Sequence, residues 1–202
     1  MWSYVKNILL GYVYLCFMGM SAWAVSYMDS TIAEFFLCFV NVAFFCFIMW
    51  YNLYKEGESA MNIRYSNDLE REYMVRTGFI RKLKEHEEFK AWKGFVMGLF
   101  VCAPLIICML LHLILGLAVG PEYNGGGIVA GVMYLCFYWI FAVFMVGQGS
   151  AITAMSWGGY FILLYVIPVI LTVMGVAYIV GGRKAVKQHQ FIENRHKEIY
   201  GE

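Results

Sequence analysis

Charged residues are scarce in this sequence and missing from its longest segments. Only 14% of its 202 residues are Asp, Glu, Lys or Arg, and 61% are hydrophobic, whereas soluble domains have roughly a quarter charged and about half apolar residues. Five apolar stretches contain no charged residue at all: 8–28, 35–54, 94–119, 128–147 and 159–180. This composition excludes a water-soluble core as the main feature of the fold.

The length of the five stretches fits a lipid bilayer. About 20 residues of α-helix, at roughly 1.5 Å per residue, cross the hydrocarbon layer of about 30 Å. Continuous apolar runs lack the alternation of barrel strands, and only helices otherwise satisfy every backbone group in lipid. The sequence therefore predicts an all-α, polytopic helical membrane protein with four or five transmembrane helices.

The first stretch has some features of a secretory signal peptide. Lys6 precedes an apolar run, and Ala22-Trp23-Ala24 has the small-residue spacing of a cleavage site. However, the run from Ile8 to Met28 is long enough to span a bilayer, which signal peptides are not. We therefore expect an uncleaved first helix.

The basic residues predict the orientation of the chain. Nine of the fifteen Lys and Arg residues fall in 55–93, five in 183–197, and the last is Lys6. The short links 29–34 and 120–127 carry three acids and no base. By the positive-inside bias, the N-terminus, 55–93 and the C-terminus are expected in the cytoplasm. The short connections and the lack of an organelle presequence predict a bacterial plasma membrane.

Five single crossings that start inside would leave the basic tail outside. One resolution is a re-entrant segment at 128–158, which enters the membrane and returns to the same face, because Gly147-Gln148-Gly149-Ser150 and Trp157-Gly158-Gly159 interrupt the apolar stretch. The alternative is five ordinary spans with an external tail. Both remain open from the sequence alone.

Four regions follow from this pattern: an N-terminal transmembrane hairpin at 1–54, a cytoplasmic amphipathic segment at 55–93, a C-terminal membrane region at 94–182 and a helical tail at 183–202. Within the second region, Asn67 and Glu70 have the spacing of a capping box and Gly78 is a helix-ending residue. We expect one helix between them and a second from Phe79 through Trp92, both on the membrane surface or on a partner.

Two sets of residues are candidates for specific roles inside the membrane. Small residues at i, i+4 allow close helix approach, which predicts helix packing at three GxxxG pairs, Gly94 and Gly98, Gly116 and Gly120, and Gly127 and Gly131. Polar side chains are costly in lipid unless paired. The candidate intramembrane polar site therefore consists of Asn41, His112, Gln148 and Ser150.

Signatures of soluble enzymes do not occur in the chain. There is no P-loop, HExxH motif or nucleophile elbow. Cys108 with His112 and Glu193 with His196 have metal-ligand spacing, but each pair lacks the further ligands that a site needs. We therefore predict no catalytic residue, no metal and no cofactor, and the six cysteines, all in apolar runs, are interpreted as small hydrophobic residues.

Three functions are compatible with the sequence. The leading hypothesis is a non-catalytic membrane subunit or scaffold that docks partners through 55–93. The alternatives are a small channel or permease for a neutral solute, formed by an oligomer, and an intramembrane metal-dependent enzyme. Expected partners are the lipid bilayer and other membrane subunits or further copies of the chain, and a net charge of +1 argues against nucleic acid.

Overall fold

The computed structural model describes residues 2–25, 31–80, 83–120 and 166–201. This part of the chain contains four α-helices and one short 3-10 helix, and no strand. The α-helices are α1 (Trp2–Val25), α2 (Thr31–Thr77), α3 (Lys93–Val119) and α4 (Val166–Tyr200), and the 3-10 helix is Glu85–Glu87. The fold class is the all-α membrane type that the composition predicted.

Apolar side chains cover both the inside and the outside of the bundle. One buried cluster joins all four helices through residues such as Leu15, Phe45, Val101 and Met174. The outer surfaces are also apolar, with exposed side chains that include Phe36, Phe39, Phe44 and Phe47 on α2 and Leu99, Phe100, Leu110 and Ile114 on α3. Helices that are apolar all round are stable in lipid, and α2, α3 and α4 are each long and apolar enough to cross it.

Two of the helices are much longer than a bilayer requires. α2 has 47 residues and α4 has 35, so they measure about 70 and 52 Å at roughly 1.5 Å per residue. Apart from Glu34 in the first turn of α2, the charged residues of both helices lie beyond the apolar stretches, in 55–77 and 183–200. Each helix therefore continues from an apolar span into a charged, extramembrane end.

The continuity of α2 corrects the predicted organisation of 55–93. No helix begins at Asn67, which is buried in the middle of α2. Gly78, at φ +70°, does end the helix as predicted. The predicted second helix from Phe79 through Trp92 is wrong, because the described residues 79–80 and 83–92 form only the 3-10 helix Glu85–Glu87 before α3 begins. A straight continuation of the span also cannot lie flat on the membrane surface.

Side-chain contacts give the direction of each helix. α1 and α2 are antiparallel, since Asn7 contacts Glu56 and Ser21 contacts Asn41. α2 and α4 are parallel, because Tyr54 lies against Gly181 and Asn62 lies further along beside His189.

α3 and α4 are antiparallel, since Gly94 lies against Tyr178 and Gly98 against Leu171. The end of α3 and the start of α4 are therefore at the same end of the bundle. That direction is the one required by a chain that enters and returns between them, and it disagrees with five single crossings. The proposed re-entrant segment itself, 128–158, lies outside the described residues.

Glycine at two positions lets α2 and α4 approach backbone to backbone. A Cβ added to Gly57 would overlap the carbonyl oxygen of Tyr178, and one added to Gly181 would overlap that of Tyr54. Backbone atoms cannot move aside as a flexible side chain can. This reciprocal contact sits where the apolar parts of both helices give way to the charged parts.

We predict that Gly57→Ala destabilises the protein by about 1–3 kcal/mol, the range for overpacking a close contact. Gly98→Ala is the matched control, because its Cβ would meet a Leu171 methyl group at 3.1 Å and the Leu171 Cα at 3.3 Å, contacts that a shift of a few tenths of an ångström relieves. The higher helix propensity of alanine, worth about 1 kcal/mol, further offsets the cost there. Thermal unfolding in detergent measures both, and equal melting temperatures for the two variants would contradict the reciprocal contact.

Candidate functional site

The charged ends of α2 and α4, with the segment 83–92 between α2 and α3, form the polar end of the bundle. Within it, the polar side chains are joined to one another across the helices. Three groups of contacts build this region: the ion pairs around Glu58, the attachment of 83–92 and the contact of His189 with α2.

Glu58 links α2 to α4 through two lysines. Lys184 Nζ lies 3.3 Å from its carboxylate, as does Lys55 Nζ. Partial desolvation opposes the ionised form of Glu58, but the hydrogen bonds from both lysines outweigh it, and the pKa of the carboxyl lies below its ordinary value of 4.5. Lys184 also lies over the Tyr54 ring, 5.3 Å from its centre, and the pKa of its ammonium is raised by hydrogen bonds to Tyr54 and Glu58.

Arg71 attaches the segment 83–92 to α2. Its guanidinium lies 2.6 Å from Asp68 on the same helix and 2.6 Å from Glu88 on the segment, with Glu85 at 3.7 Å. Asn67 Nδ2 donates to the same Glu88 carboxylate at 2.8 Å. Desolvation lowers the pKa of Arg71, but the combined hydrogen bonds and charges of Asp68 and Glu88 outweigh it and raise the pKa overall.

Backbone and aromatic contacts complete this attachment. The backbone N–H of Phe89 donates to the carbonyl of Ala60 at 3.1 Å. The Phe89 ring stacks on Tyr178, with centres 5.1 Å apart, and covers Gly182, where a Cβ would collide with it. Lys93 donates to the carbonyls of His86 and Glu88 at 2.7 and 2.6 Å. These contacts explain why 83–92 forms no α-helix, since its groups bond to α2 and α4 instead.

His189 ends the contact between the two long helices. Its Nε2 lies 2.9 Å from Asn62 Oδ1, and its ring packs on Tyr65 with centres 4.0 Å apart.

Of the other tail residues with metal-ligand character, Glu193 pairs with Lys197 at 3.0 Å and His196 packs on Tyr200. Across the described residues, no group of three or more His, Cys, Asp or Glu side chains is placed to hold a metal.

An apolar groove of about 620 Å³ lies along another face of the α2 end. Its lining residues are Ser66, Leu69, Glu70, Tyr73, Met74 and Phe79. Three of its apolar side chains are largely exposed, Leu69 at 68%, Tyr73 at 60% and Phe79 at 70%. This groove is outside the apolar span, so lipid tails do not cover it.

The structure places the predicted intramembrane residues as follows. Asn41 accepts a hydrogen bond from the Ser21 hydroxyl at 2.9 Å, which joins α1 to α2, while its buried Nδ2 has no partner among the described residues. His112 belongs to α3, but its side chain lies outside the described part, as do Gln148 and Ser150. The permease hypothesis depends on the Gly-rich 147–159 segment, and the enzyme hypothesis on His112 or the tail histidines.

The three predicted GxxxG pairs differ in whether the structure places them against another helix. Gly94 and Gly98 face α4, as the contacts above show. Gly116 is half-buried in α3, and Gly120 ends that helix at φ +73° with no described atom within 4 Å of its Cβ position. Gly127 and Gly131 lie outside the described residues.

Sequence reasoning missed the closest helix contact. Gly57 belongs to no GxxxG pair, and Gly181 was passed over for the same reason. The available signal was the spacing of Ala177, Gly181 and Ala185, three small residues one turn apart that are all buried. Such small-residue repeats serve close helix approach as GxxxG does.

No known protein family, curated protein or solved structure matches this chain. Its function is therefore argued from the geometry alone.

We predict that Arg71→Gln releases the segment 83–92 from α2, because Glu88 and Glu85 lose their shared cation. Hydrogen exchange of the Phe89 amide and its neighbours should become several-fold faster, while exchange in the cores of α3 and α4 stays unchanged. Arg64→Gln is the control, because it removes the same charge from the same helix but only an exposed contact at 4.0 Å to Asp68. Equal protection of 83–92 in the two variants would argue against Arg71 as its anchor.

We predict a pH-dependent contribution of Glu58 to stability. Because its folded pKa is lowered, this contribution is complete above the ordinary value of 4.5 and is lost as the pH falls through the folded pKa. Glu58→Gln should therefore melt at a lower temperature than the native chain at pH 7, and the difference should close towards pH 3. Glu193→Gln, in the exposed tail, is the control for removing one carboxylate. A difference in melting temperature between Glu58→Gln and the native chain that persists unchanged at pH 3 would refute the ion-pair explanation.

Proposed function

We propose that the chain is a non-catalytic membrane subunit or scaffold that binds a partner protein through the extramembrane end of α2. The observation that carries this proposal is the apolar groove at Tyr73 and Phe79, which lies on a charged helix end where lipid does not reach. Exposed apolar surface of this kind, rimmed by polar residues, is typical of protein interaction sites.

The polar residues of this end support a binding role over a chemical one. Glu58, Arg71 and His189, whose side-chain types are common in active sites, are each engaged in contacts that hold the helices together. The groove beside them is lined mainly by apolar and aromatic side chains. Aromatic residues dominate the energetically important contacts of protein interfaces, so the groove fits an apolar segment of a partner.

The orientation of the groove follows from the basic residues. The described helix directions put the start of α1, residues 78–80 and 83–92, and the tail at one end of the bundle, and most Lys and Arg residues belong to these parts of the sequence and to the end of α2. By the positive-inside bias this end faces the cytoplasm of, we infer, a bacterial plasma membrane. The partner is then a cytoplasmic protein or the cytoplasmic part of another membrane subunit.

Purification from native membranes in a mild detergent tests the proposal. We predict that a partner co-purifies in fixed ratio and that Tyr73→Glu combined with Phe79→Glu removes it, with a loss of roughly 2 kcal/mol or more for interface hot spots, about 30-fold in affinity. Val75→Glu is the control, because Val75 is 86% exposed but does not line the groove. A native chain that purifies without any stoichiometric partner would contradict the proposal.

A further inference from the structure

One side of α4 is exposed along the part of the helix that lies in the membrane. The other sides of this part pack on α2 and α3, through contacts such as those of Gly181 and Leu171. The exposed residues recur at intervals of three and four, which places them on one side of a helix. They are Val169, Thr172, Val176 and Val180, and together they form what we call the α4 stripe. No described helix covers this stripe, so in a bilayer it is open to lipid tails.

Two cations continue the α4 stripe where the apolar sequence ends. Arg183 and Lys187 follow Val180 at three and seven positions, so they lie on the same side of the helix, and both are exposed. Lys184, between them, pairs instead with Glu58 on α2. Among the residues that the structure describes, the side chains of Arg183 and Lys187 have no ion pair and no hydrogen bond. Their positive charges are therefore uncompensated within this part of the chain.

The sequence near the two cations supplies no acid to compensate them. There is no Asp or Glu in α4 from 166 to 192, and none in α3, which packs on the membrane part of α4. Glu58, Glu85 and Glu88, at the same end of the bundle, are engaged with other cations. An anion from outside the described part of the chain is the complement that this pair of cations lacks.

The position of the pair along the helix fits the headgroup layer of a bilayer. The uncharged stretch of α4 ends at Gly182, so Arg183 is the first residue beyond it, and Lys187 lies about 7 Å past Gly182 at roughly 1.5 Å per residue. The headgroup layer is about 5–8 Å thick on each side of the hydrocarbon. Side chains of a helix tilt towards its N-terminus, which in α4 is the direction of the bilayer. Both cations are therefore within reach of lipid phosphates.

We propose that Arg183 and Lys187 bind the headgroup of an anionic phospholipid whose acyl chain lies along the α4 stripe. The guanidinium offers a planar set of N–H donors that matches a phosphate, and the lysine adds a second positive charge beside it. A zwitterionic lipid has no net charge and leaves the pair uncompensated, so the site selects lipids with net negative charge. The site is on α4 and the groove is on α2, so this proposal does not depend on the proposed function.

Thermal melting of the full chain in mixed micelles tests the proposal. The purified protein is freed of native lipid in a neutral detergent, and phosphatidylglycerol or phosphatidylcholine is added in increasing mole fraction. Because a ligand that binds the folded state stabilises it, we expect phosphatidylglycerol to raise the melting temperature at a lower mole fraction than phosphatidylcholine. Arg183→Gln combined with Lys187→Gln should increase the phosphatidylglycerol needed roughly 30-fold, about fivefold for each cation, and leave the response to phosphatidylcholine unchanged.

Two paired substitutions serve as controls. Arg76→Gln combined with Arg195→Gln removes the same charge from the same end of the bundle, at exposed positions beyond the headgroup layer. Arg195, for example, lies about 18 Å past Arg183 at roughly 1.5 Å per residue. This variant should respond to both lipids as the native chain does. Arg183→Lys combined with Lys187→Arg keeps both charges at the site and should retain the preference for phosphatidylglycerol.

Four results would overturn the proposal. Equal responses of the native chain to the two lipids would show that the protein does not select negative charge. An unchanged preference after Arg183→Gln and Lys187→Gln would place the lipid elsewhere, and an equal loss after Arg76→Gln and Arg195→Gln would assign the effect to net charge. Soluble glycerol phosphate, added at the same concentration, should leave the melting temperature unchanged. A rise equal to that with phosphatidylglycerol would identify a free anion, and not a lipid, as the ligand.

Discussion

The backbone contact between α2 and α4 at Gly57 and Gly181 is the constraint on which the polar end of this protein depends. It brings two helix axes together at the boundary between apolar and charged sequence. Lys184 can reach Glu58 only because the axes are close there, and His189 meets Asn62 about two turns further along. The adjacent Gly182 leaves room for the Phe89 ring, which holds 83–92 in place. Small residues thus position the polar contacts without taking part in them.

The parallel arrangement of α2 and α4 also disagrees with five alternating single crossings, one of the two topologies left open by the sequence. Alternating single crossings would make the last helix antiparallel to α2. The observed direction brings the basic residues of the tail to the same end as those of 55–93, which is what the charge bias predicts. The energetics agree, since Lys184 finds an acidic partner in Glu58 at that end. The contact between α2 and α4 therefore determines both the direction of α4 and the ion pair of Lys184 with Glu58.

Much of the fold could be predicted from the sequence, because the absence of charge over helical lengths leaves few alternatives in lipid. The errors lie where a long-range contact overrides a local signal. Asn67 and Glu70 have capping-box spacing, yet Asn67 bonds to Glu88, and α2 runs through it unbroken. The apolar pattern that starts at Phe79 and Ile80 predicts a helix, but contacts of Phe89 and Arg71 hold residues 83–92 in another conformation. Local periodicity carries no information on such partners.

The extramembrane helix ends carry the functional argument because their position is fixed by the membrane. Tyr73 is nineteen residues beyond Tyr54, about 28 Å along an unbroken helix at roughly 1.5 Å per residue. In the function proposed above, a partner bound in the groove is held at a defined distance from the bilayer. Because one uninterrupted helix forms both the membrane span and the extramembrane end, the distance between the groove and the bilayer is fixed without a separate soluble domain. The length and continuity of α2 are then functional properties, as much as the side chains on its surface.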